Sequence, residues 1–311
     1  MSKKFDVVVL GDTNPDLILT SRDIVPEFGQ VEKWIDDAEL TIGGSACIFA
    51  AGAAKLGLKT AYIGKVGDDD FGRFMRDQLS AKGIDVSGLV IDPSIKTGLG
   101  ISLSTGNDRA ILTYGGSIPL LNYQDIDFDI IAAGRHLHSG SFYLLDSLRP
   151  EMAQVYQRAK ALGLSTSIDT NYDPKEVWEQ NQIMGVLAHT DIFLPNTTEL
   201  EKISGKTDLE SAKKFFTGSS DLLLAVKNGD AGALAFQRDQ HYAAESIQVS
   251  PVDTTGAGDS FDAGFIFGYL SGFSIEKSLR IGCVCGALST QGLGGTAAQA
   301  SQSDLKKYGV L

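Results

Sequence analysis

Asp253-Thr254-Thr255-Gly256-Ala257-Gly258-Asp259, followed by the apolar run Ser260 to Leu270, is the stretch whose reading decides the fold. Before it, Ile247-Gln248-Val249 alternates and reads as a short strand. After it, Phe261, Phe265, Phe267 and Leu270 fall near helical spacing and read as core. The heptapeptide is then a turn that delivers backbone amides to a helix N-terminus. Such a terminus has free N–H groups and about half a positive charge, which suits an anion. Gly256 and Gly258 let the backbone approach a bulky anion without a Cβ in the way. Asp259 is the odd part, because a fixed negative charge would repel a phosphate beside it. A carboxylate there makes sense if it takes a proton from a hydroxyl attacking that phosphate. The plainer alternative is a glycine-rich turn with Asp259 complementing the helix dipole. The full string, with strand before and helix after, favours the catalytic reading.

Outward from this motif the chain alternates strands and helices. Phe5 to Gly11 has the β-rich, Gly-terminated pattern of a central parallel strand. It opens into Asp12-Thr13-Asn14-Pro15-Asp16, polar residues at a strand end, where open α/β sheets bind ligands. Asn14 and Asp16 could bond sugar hydroxyls or simply form a Pro turn. Leu17 to Leu40 reads as one or two strands outside the main sheet. Gly43-Gly44-Ser45-Ala46 starts a small-residue helix ending at Gly57. The paired glycines suit either a close ligand or tight packing. Thr60 to Lys65 is a strand, and Phe71 to Lys82 a helix that Asp68-Asp69-Asp70 caps. Thr97 to Ser104 and Arg109 to Tyr114 form a hairpin around Thr105-Gly106-Asn107-Asp108. Further strands are expected at Leu137–Phe142, Ser165–Asp169, Asp191–Leu194 and Leu222–Val226, and a hairpin at Ala233–Phe236 and His241–Ala244. Helices are expected at Pro150–Leu162, around Trp178, after Pro195 and at Ile275–Ser289. The pattern implies an α/β protein whose mainly parallel sheet is covered on both faces. The two interruptions would make a small sheet over the ligand site.

The 311 residues, 43% hydrophobic and 21% charged, suit an ordinary globular chain able to bury a large core. A net charge of −12 argues against nucleic-acid or anionic-membrane partners and mildly for a neutral substrate. The first residues carry too short an apolar run for a signal peptide or membrane span. Cys47, Cys283 and Cys285, with no CxxC, suggest reduced thiols in the cytoplasm. His136 and His138 share a strand face, but no third metal ligand is evident.

No P-loop, no dinucleotide-binding GxGxxG after the first strand and no GxSxG elbow is present. Asn196-x-x-Glu199 puts two oxygen-bearing side chains on one face of a helix start. Such oxygens with water suit Mg²⁺, although a capping box fits the spacing alone.

These motifs together resemble the ribokinase-like (PfkB) family of ATP-dependent carbohydrate kinases over nearly the whole chain. Asp253 to Asp259 resembles its C-terminal signature, Gly43 to Ala46 its N-terminal signature, and Asn196 to Glu199 its NxxE motif. The resemblance implies a three-layer fold over 1–311, with a small β lid from insertions 15–41 and 96–116. In several members that lid also forms a homodimer interface. It implies Asp259 as catalytic base and the Gly256, Ala257 and Gly258 amides as anion hole. Asn196 and Glu199 would organise Mg²⁺ through water. Lys227, Asn228 and Gly229 would lie near ATP, with Thr255 and Cys283 also on the nucleotide side. Asp253 and Thr255 match positions that bind K⁺ in some members. Asn14, Asp16, Gly43 and Gly44, with Asp169 and Asn171, would contact a small sugar. Two departures bear on substrate: Ile48 replaces a usual Asn, and Asp173 stands where Arg is frequent, which disfavours a sugar acid. The expected activity is transfer of the γ-phosphoryl group to a primary hydroxyl of a neutral sugar. A nucleoside kinase and a non-catalytic sugar-binding regulator are the alternatives.

Overall fold

A computed structural model describes residues 3–105, 109–217 and 221–311. β1 (Phe5–Leu10) is buried on both faces, Val7 and Val9 entering one apolar layer and Val8 and Leu10 the other. β2 (Pro15–Thr20) and β3 (Asp37–Ile42) pair antiparallel and leave the main sheet. α1 (Ser45–Lys55) and β4 (Thr60–Gly67) follow, then α2 (Asp70–Ala81), where Asp69 accepts from the Gly72 N–H as the expected cap. β5 (Asp85–Asp92) was not anticipated. β6 (Leu99–Ser104) and β7 (Arg109–Tyr114) form the expected antiparallel hairpin, although its tip, 106–108, lies outside the described residues.

The rhythm resumes with α3 (Phe128–Ala132), β8 (Gly134–Ser139), α4 (Met152–Ala161), β9 (Ser165–Ile168), α5 (Gln180–Leu187) and β10 (Ile192–Phe193). Then come α6 (Thr197–Ser204), α7 (Leu209–Thr217), β11 (Leu223–Lys227), β12 (Ala233–Gln237) and β13 (Gln240–Ala244). α8 (Ala257–Leu270), α9 (Ile275–Ser289) and α10 (Gln302–Lys307) complete the chain.

The nine-stranded sheet runs β13-β12-β11-β10-β9-β8-β1-β4-β5, and every neighbouring pair from β11 to β5 is parallel. Helices α3 to α7 pack on one face, and α1, α2, α8 and α9 on the other. Three layers result, as the alternation implied. The four-stranded sheet, β3-β2-β6-β7, stands apart. His136 and His138 are buried, with ring nitrogens 2.7–2.8 Å from the Ser165 and Ser167 hydroxyls.

Two sequence expectations fail. Ile247-Gln248-Val249 is not a strand; Ile247 and Val249 pack against the cluster holding Ile281 and Leu288 of α9. One apolar face satisfied by a helix gives the same alternation as a sheet. Trp178 lies in no helix, because the Asp173 carboxylate accepts the N–H groups of Lys175, Val177 and Trp178 and winds the chain into a loop. Glu176 and Trp178 adopt φ of 52° and 51° there. Asp173 is therefore spent on the backbone.

α8 carries Asp259, so its seating matters. Glycine makes the contact with α9 close: a Cβ on Gly264 would lie 2.7 Å from Cys285 Sγ and 3.1 Å from Gly282 Cα. Gly264→Val should destabilise the protein by about 1–3 kcal/mol through overpacking. A urea midpoint equal to that of the wild type would refute so tight a contact.

Candidate active site

The carboxyl ends of β1, β8, β9, β10 and β11 lie side by side, which is where an open parallel sheet leaves a crevice. They deliver Asp12 and Asn14, Ser141, Asp169 and Asn171, Asn196, and Lys227 to one cleft of about 840 Å³. α8 brings Asp259 to the same wall, and the four-stranded sheet brings Asp16, Gly100, Arg109, Ile111 and Thr113. Asp259 therefore shares a cleft with both the Asn14/Asp16 turn and the Asn196/Glu199 corner.

A second cleft of about 460 Å³ opens behind, lined by Val249, Phe261, Cys283 and Ala287 among others. Lys227, Gly229, Thr254, Ala257 and Gly258 line both. The glycine turn is the partition between them. Gly256 is the N-cap at φ 70°, and no side chain caps the helix. A Cβ on Gly256 would come 2.8 Å from Ile48 Cγ2 and Gly295 Cα, so the turn requires glycine twice over. The Ala257 N–H spends itself on a 3.3 Å bond to the Thr254 carbonyl, a weak one.

Lys227 anchors the charge. Its Nζ lies 2.6 Å from Asp169 Oδ2 and 3.1–3.2 Å from both Asp262 oxygens, all three residues buried. Burial pulls the ammonium pKa down, but Asp169, Asp262 and Glu199 outweigh it and hold it above its usual range. The carboxylates respond in the opposite sense. Burial, then Asp169, pushes Asp259 up to about 8, against the pull of Lys227. Glu199 is pushed up to about 7 by burial and Asp169, and Asp262 rises by burial.

Asn196 and Glu199 are locked together. Asn196 Oδ1 accepts from the Glu199 N–H, and Glu199 accepts from the Asn196 N–H and from Nδ2. The capping box is thus real, yet both side chains still face the cleft.

On the small-sheet side, Asp16 explains the glycines around it. A Cβ on Gly43 or Gly100 would lie 2.2 Å from Asp16 Oδ1. Asn14 Nδ2 bonds that oxygen at 3.3 Å. Gly44, at φ 74°, precedes α1, whose Ser45 and Ala46 N–H groups are capped by the Asp12 carboxylate from the end of β1. Burial, then Asp12 and Asp253, pushes Asp16 up to about 6.

Gly43 and Asn228 line neither cleft, and Cys283 lines only the second. Asp253 lies beneath the turn, bonded to Thr255 and Gly294. Sequence reading placed Asp12 at the ligand end of the first strand without giving it a role, and missed Arg109 and Asp262. Asp262 had a signal, a lone carboxylate in an otherwise apolar helix. Arg109 had none, since only the fold brings the hairpin to the turn.

A family model described as pfkB family carbohydrate kinase matches residues 4–302. Fructokinase-2 of Solanum lycopersicum is 27% identical over 320 residues, covering 96% of this chain and 97% of that protein. The structure of adenosine kinase from Sinorhizobium meliloti matches with a TM-score of 0.85 at 23% identity, over 98% of this chain and 99% of that one. A fructokinase double mutant from Vibrio cholerae O395, solved with fructose, ADP and potassium ion bound, matches with a TM-score of 0.80 at 23% identity, over 99% of each chain. With these three layers and a family match spanning all but the ends, the chain belongs to the pfkB family of carbohydrate kinases.

Proposed function

We propose that the protein transfers the γ-phosphoryl group of ATP to a primary hydroxyl of a small neutral sugar, with Asp259 as base. The observation that carries this reading is the shared glycine turn. A polar cleft and a partly apolar one meet at a helix N-terminus, with a carboxylate on the polar side. ATP fits the second cleft, its base among Phe261, Cys283 and Ala287 and its phosphates directed past Lys227 and Gly229 to the turn.

Charge supports a neutral acceptor. Asp12, Asp16, Asp169, Glu199 and Asp259 face the polar cleft, and its cations Arg109 and Lys227 are already engaged with carboxylates. A sugar acid would meet repulsion. Asn14, Asp16, Asp169 and Asn171, with the Gly43-Gly44 turn, are suited to hold hydroxyls.

In the reaction the acceptor hydroxyl gives its proton to an Asp259 oxygen as its own oxygen bonds the transferring phosphorus and the bond to ADP breaks. The α8 N-terminus, from Gly256 to Gly258, faces the charge on the equatorial oxygens, so catalysis is mainly positioning and electrostatics. Among the described residues no group of three His, Cys, Asp or Glu side chains could hold a metal ion. Asn196 and Glu199 fit a Mg²⁺ that arrives with phosphates and keeps water, and its charge would neutralise those phosphates. The small sheet, 15–41 and 96–116, serves as the lid of a single domain spanning 1–311, excluding water when closed. Its outer face leaves Leu112 and Tyr114 60% and 53% exposed, as a homodimer interface would.

A panel of sugars, sugar acids and nucleosides with Mg-ATP, read by ADP release and product mass, should single out a neutral sugar. Asp259→Asn should lower kcat on the order of 10²–10⁴-fold with little change in nucleotide affinity. Retention of a large share of turnover would remove Asp259 from the chemistry.

Asp259 also ties stability to pH. Its carboxyl goes from 3.8 to about 8 on folding, so the folded state holds the extra proton. The benefit is full below 3.8 and is lost as pH rises through 8. Asn at this position carries no such loss. Asp259→Asn should therefore gain on the order of 5 °C in Tm over wild type at alkaline pH and nothing near pH 4. A pH-independent difference would contradict the raised value.

Light scattering should give twice the chain mass, and Leu112→Glu should give the single-chain mass with unchanged helix content. A monomeric wild type would refute the dimer.

A further inference from the structure

In this chain Asp253 and Thr255, the positions matching the potassium ligands of some relatives, carry an arginine. Arg109, the first residue of β7, donates from Nη1 to Asp253 Oδ1 at 2.7 Å and to Thr255 Oγ1. Asp253 Oδ1 is crowded with donors besides the guanidinium. Oδ1 accepts from the Thr255 N–H at 2.9 Å and from its hydroxyl at 2.7 Å, and Oδ2 accepts from the Gly294 N–H at 2.9 Å. A bare monovalent cation on either oxygen of this carboxylate would be repelled by the guanidinium, which never deprotonates and already holds Oδ1. The residues present do not fit a resident K⁺.

We propose that the Arg109 guanidinium takes the place of a monovalent cation at Asp253 and Thr255, making the enzyme indifferent to K⁺ and fastening the small sheet to the glycine turn. The Asp253 side chain is only 10% exposed and that of Arg109 33%, so the pair is partly shielded from water and salt. Asp253 Oδ1 gathers the Thr255 N–H, the Thr255 hydroxyl and the Arg109 guanidinium, so the hairpin brings its positive charge to the carboxylate under the turn. Thr255 directly precedes Gly256, the left-handed N-cap of α8, so a charge fixed there fixes the first amides of the helix. The same guanidinium faces Asp16, whose carboxyl it helps keep ionised against burial, Asp12 and Asp253. One side chain on the small sheet thus holds the residues that lead into the glycine turn, which makes Arg109 a positioning residue.

The test uses the full chain in potassium chloride and in tetramethylammonium chloride at equal ionic strength. The activity arm rests on the kinase reading; the melting arm does not. Wild type should turn over equally in both salts, and potassium should not raise its Tm. Arg109→Gln should lose on the order of tenfold or more in tetramethylammonium, recover most of it in potassium, and melt higher with potassium present. Arg109→Lys, which keeps the charge, should stay indifferent. A wild type that gains several-fold in potassium overturns the proposal. So does an Arg109→Gln variant that potassium neither speeds nor stabilises. Should that variant not fold, the wild-type response decides. No ADP release in either salt would deny the kinase reading and leave Arg109 to the melting data.

Discussion

One buried ammonium holds the site together. Lys227, at the end of β11, joins Asp169 from the end of β9 to Asp262 on the second turn of α8. Breaking such a group by removing one partner typically costs about 3–5 kcal/mol, because the remaining charges stay buried without compensation. The bridge therefore fixes where α8 begins relative to the strand ends. Asp259 lies one turn before Asp262 on the same helix, so the position of the Asp259 carboxyl is set by the ion cluster behind it.

The opposite wall depends on glycine in the same way. Asp16 belongs to the small sheet, yet its carboxylate lies where side chains on Gly43 and Gly100 would be. Those absent side chains let β2 and β6 bring a charge into contact with the turn before α1. Asp12 holds that turn from β1 by capping α1. At this point the two sheets meet through backbone and carboxylates. Contacts of that kind can part and re-form more cheaply than a packed core. Arg109 adds the one direct ion pair from the hairpin to the glycine turn among the contacts described.

Much of this was legible in the sequence, because its signals are local. Asp253 to Asp259 carries its own turn and helix start, β1 its own apolar run, and the two interruptions their own alternation. Failures came where a local signal had two causes. Ile247 to Val249 alternates because a helix covers it. Trp178 sits in a stretch that Asp173 winds out of helical form by accepting three backbone N–H groups, and Asp173 does not line the cleft that holds Asp259. Glycine at 43 and 44 was equally ambiguous: at 43 the reason proved to be Asp16, and at 44 a φ of 74° close against Asp12 and Asn14, all distant in sequence. The partners of Lys227 lie 58 and 35 residues away, and Arg109 reaches across 144 residues to Asp253. No periodicity records such pairings.

The charge inventory explains how a net repulsive cluster can serve transfer of an anion. Asp169, Asp262, Glu199 and Asp259 all act on one Lys227, more negative charge than a single ammonium can balance. Burial first, and then the neighbouring Asp169 charge, favours protons on this cluster, which is why Asp259 and Glu199 rise to about 8 and about 7. A proton on Asp259 is the wrong state for a base. A divalent cation brought close would favour the ionised carboxylates, releasing those protons at neutral pH. In the proposed reaction, the excess of carboxylates that would disfavour an anionic acceptor is then the feature that would ready the site for a metal-bound nucleotide. It would also ionise Asp259, the proposed base, only when the phosphoryl donor is in place.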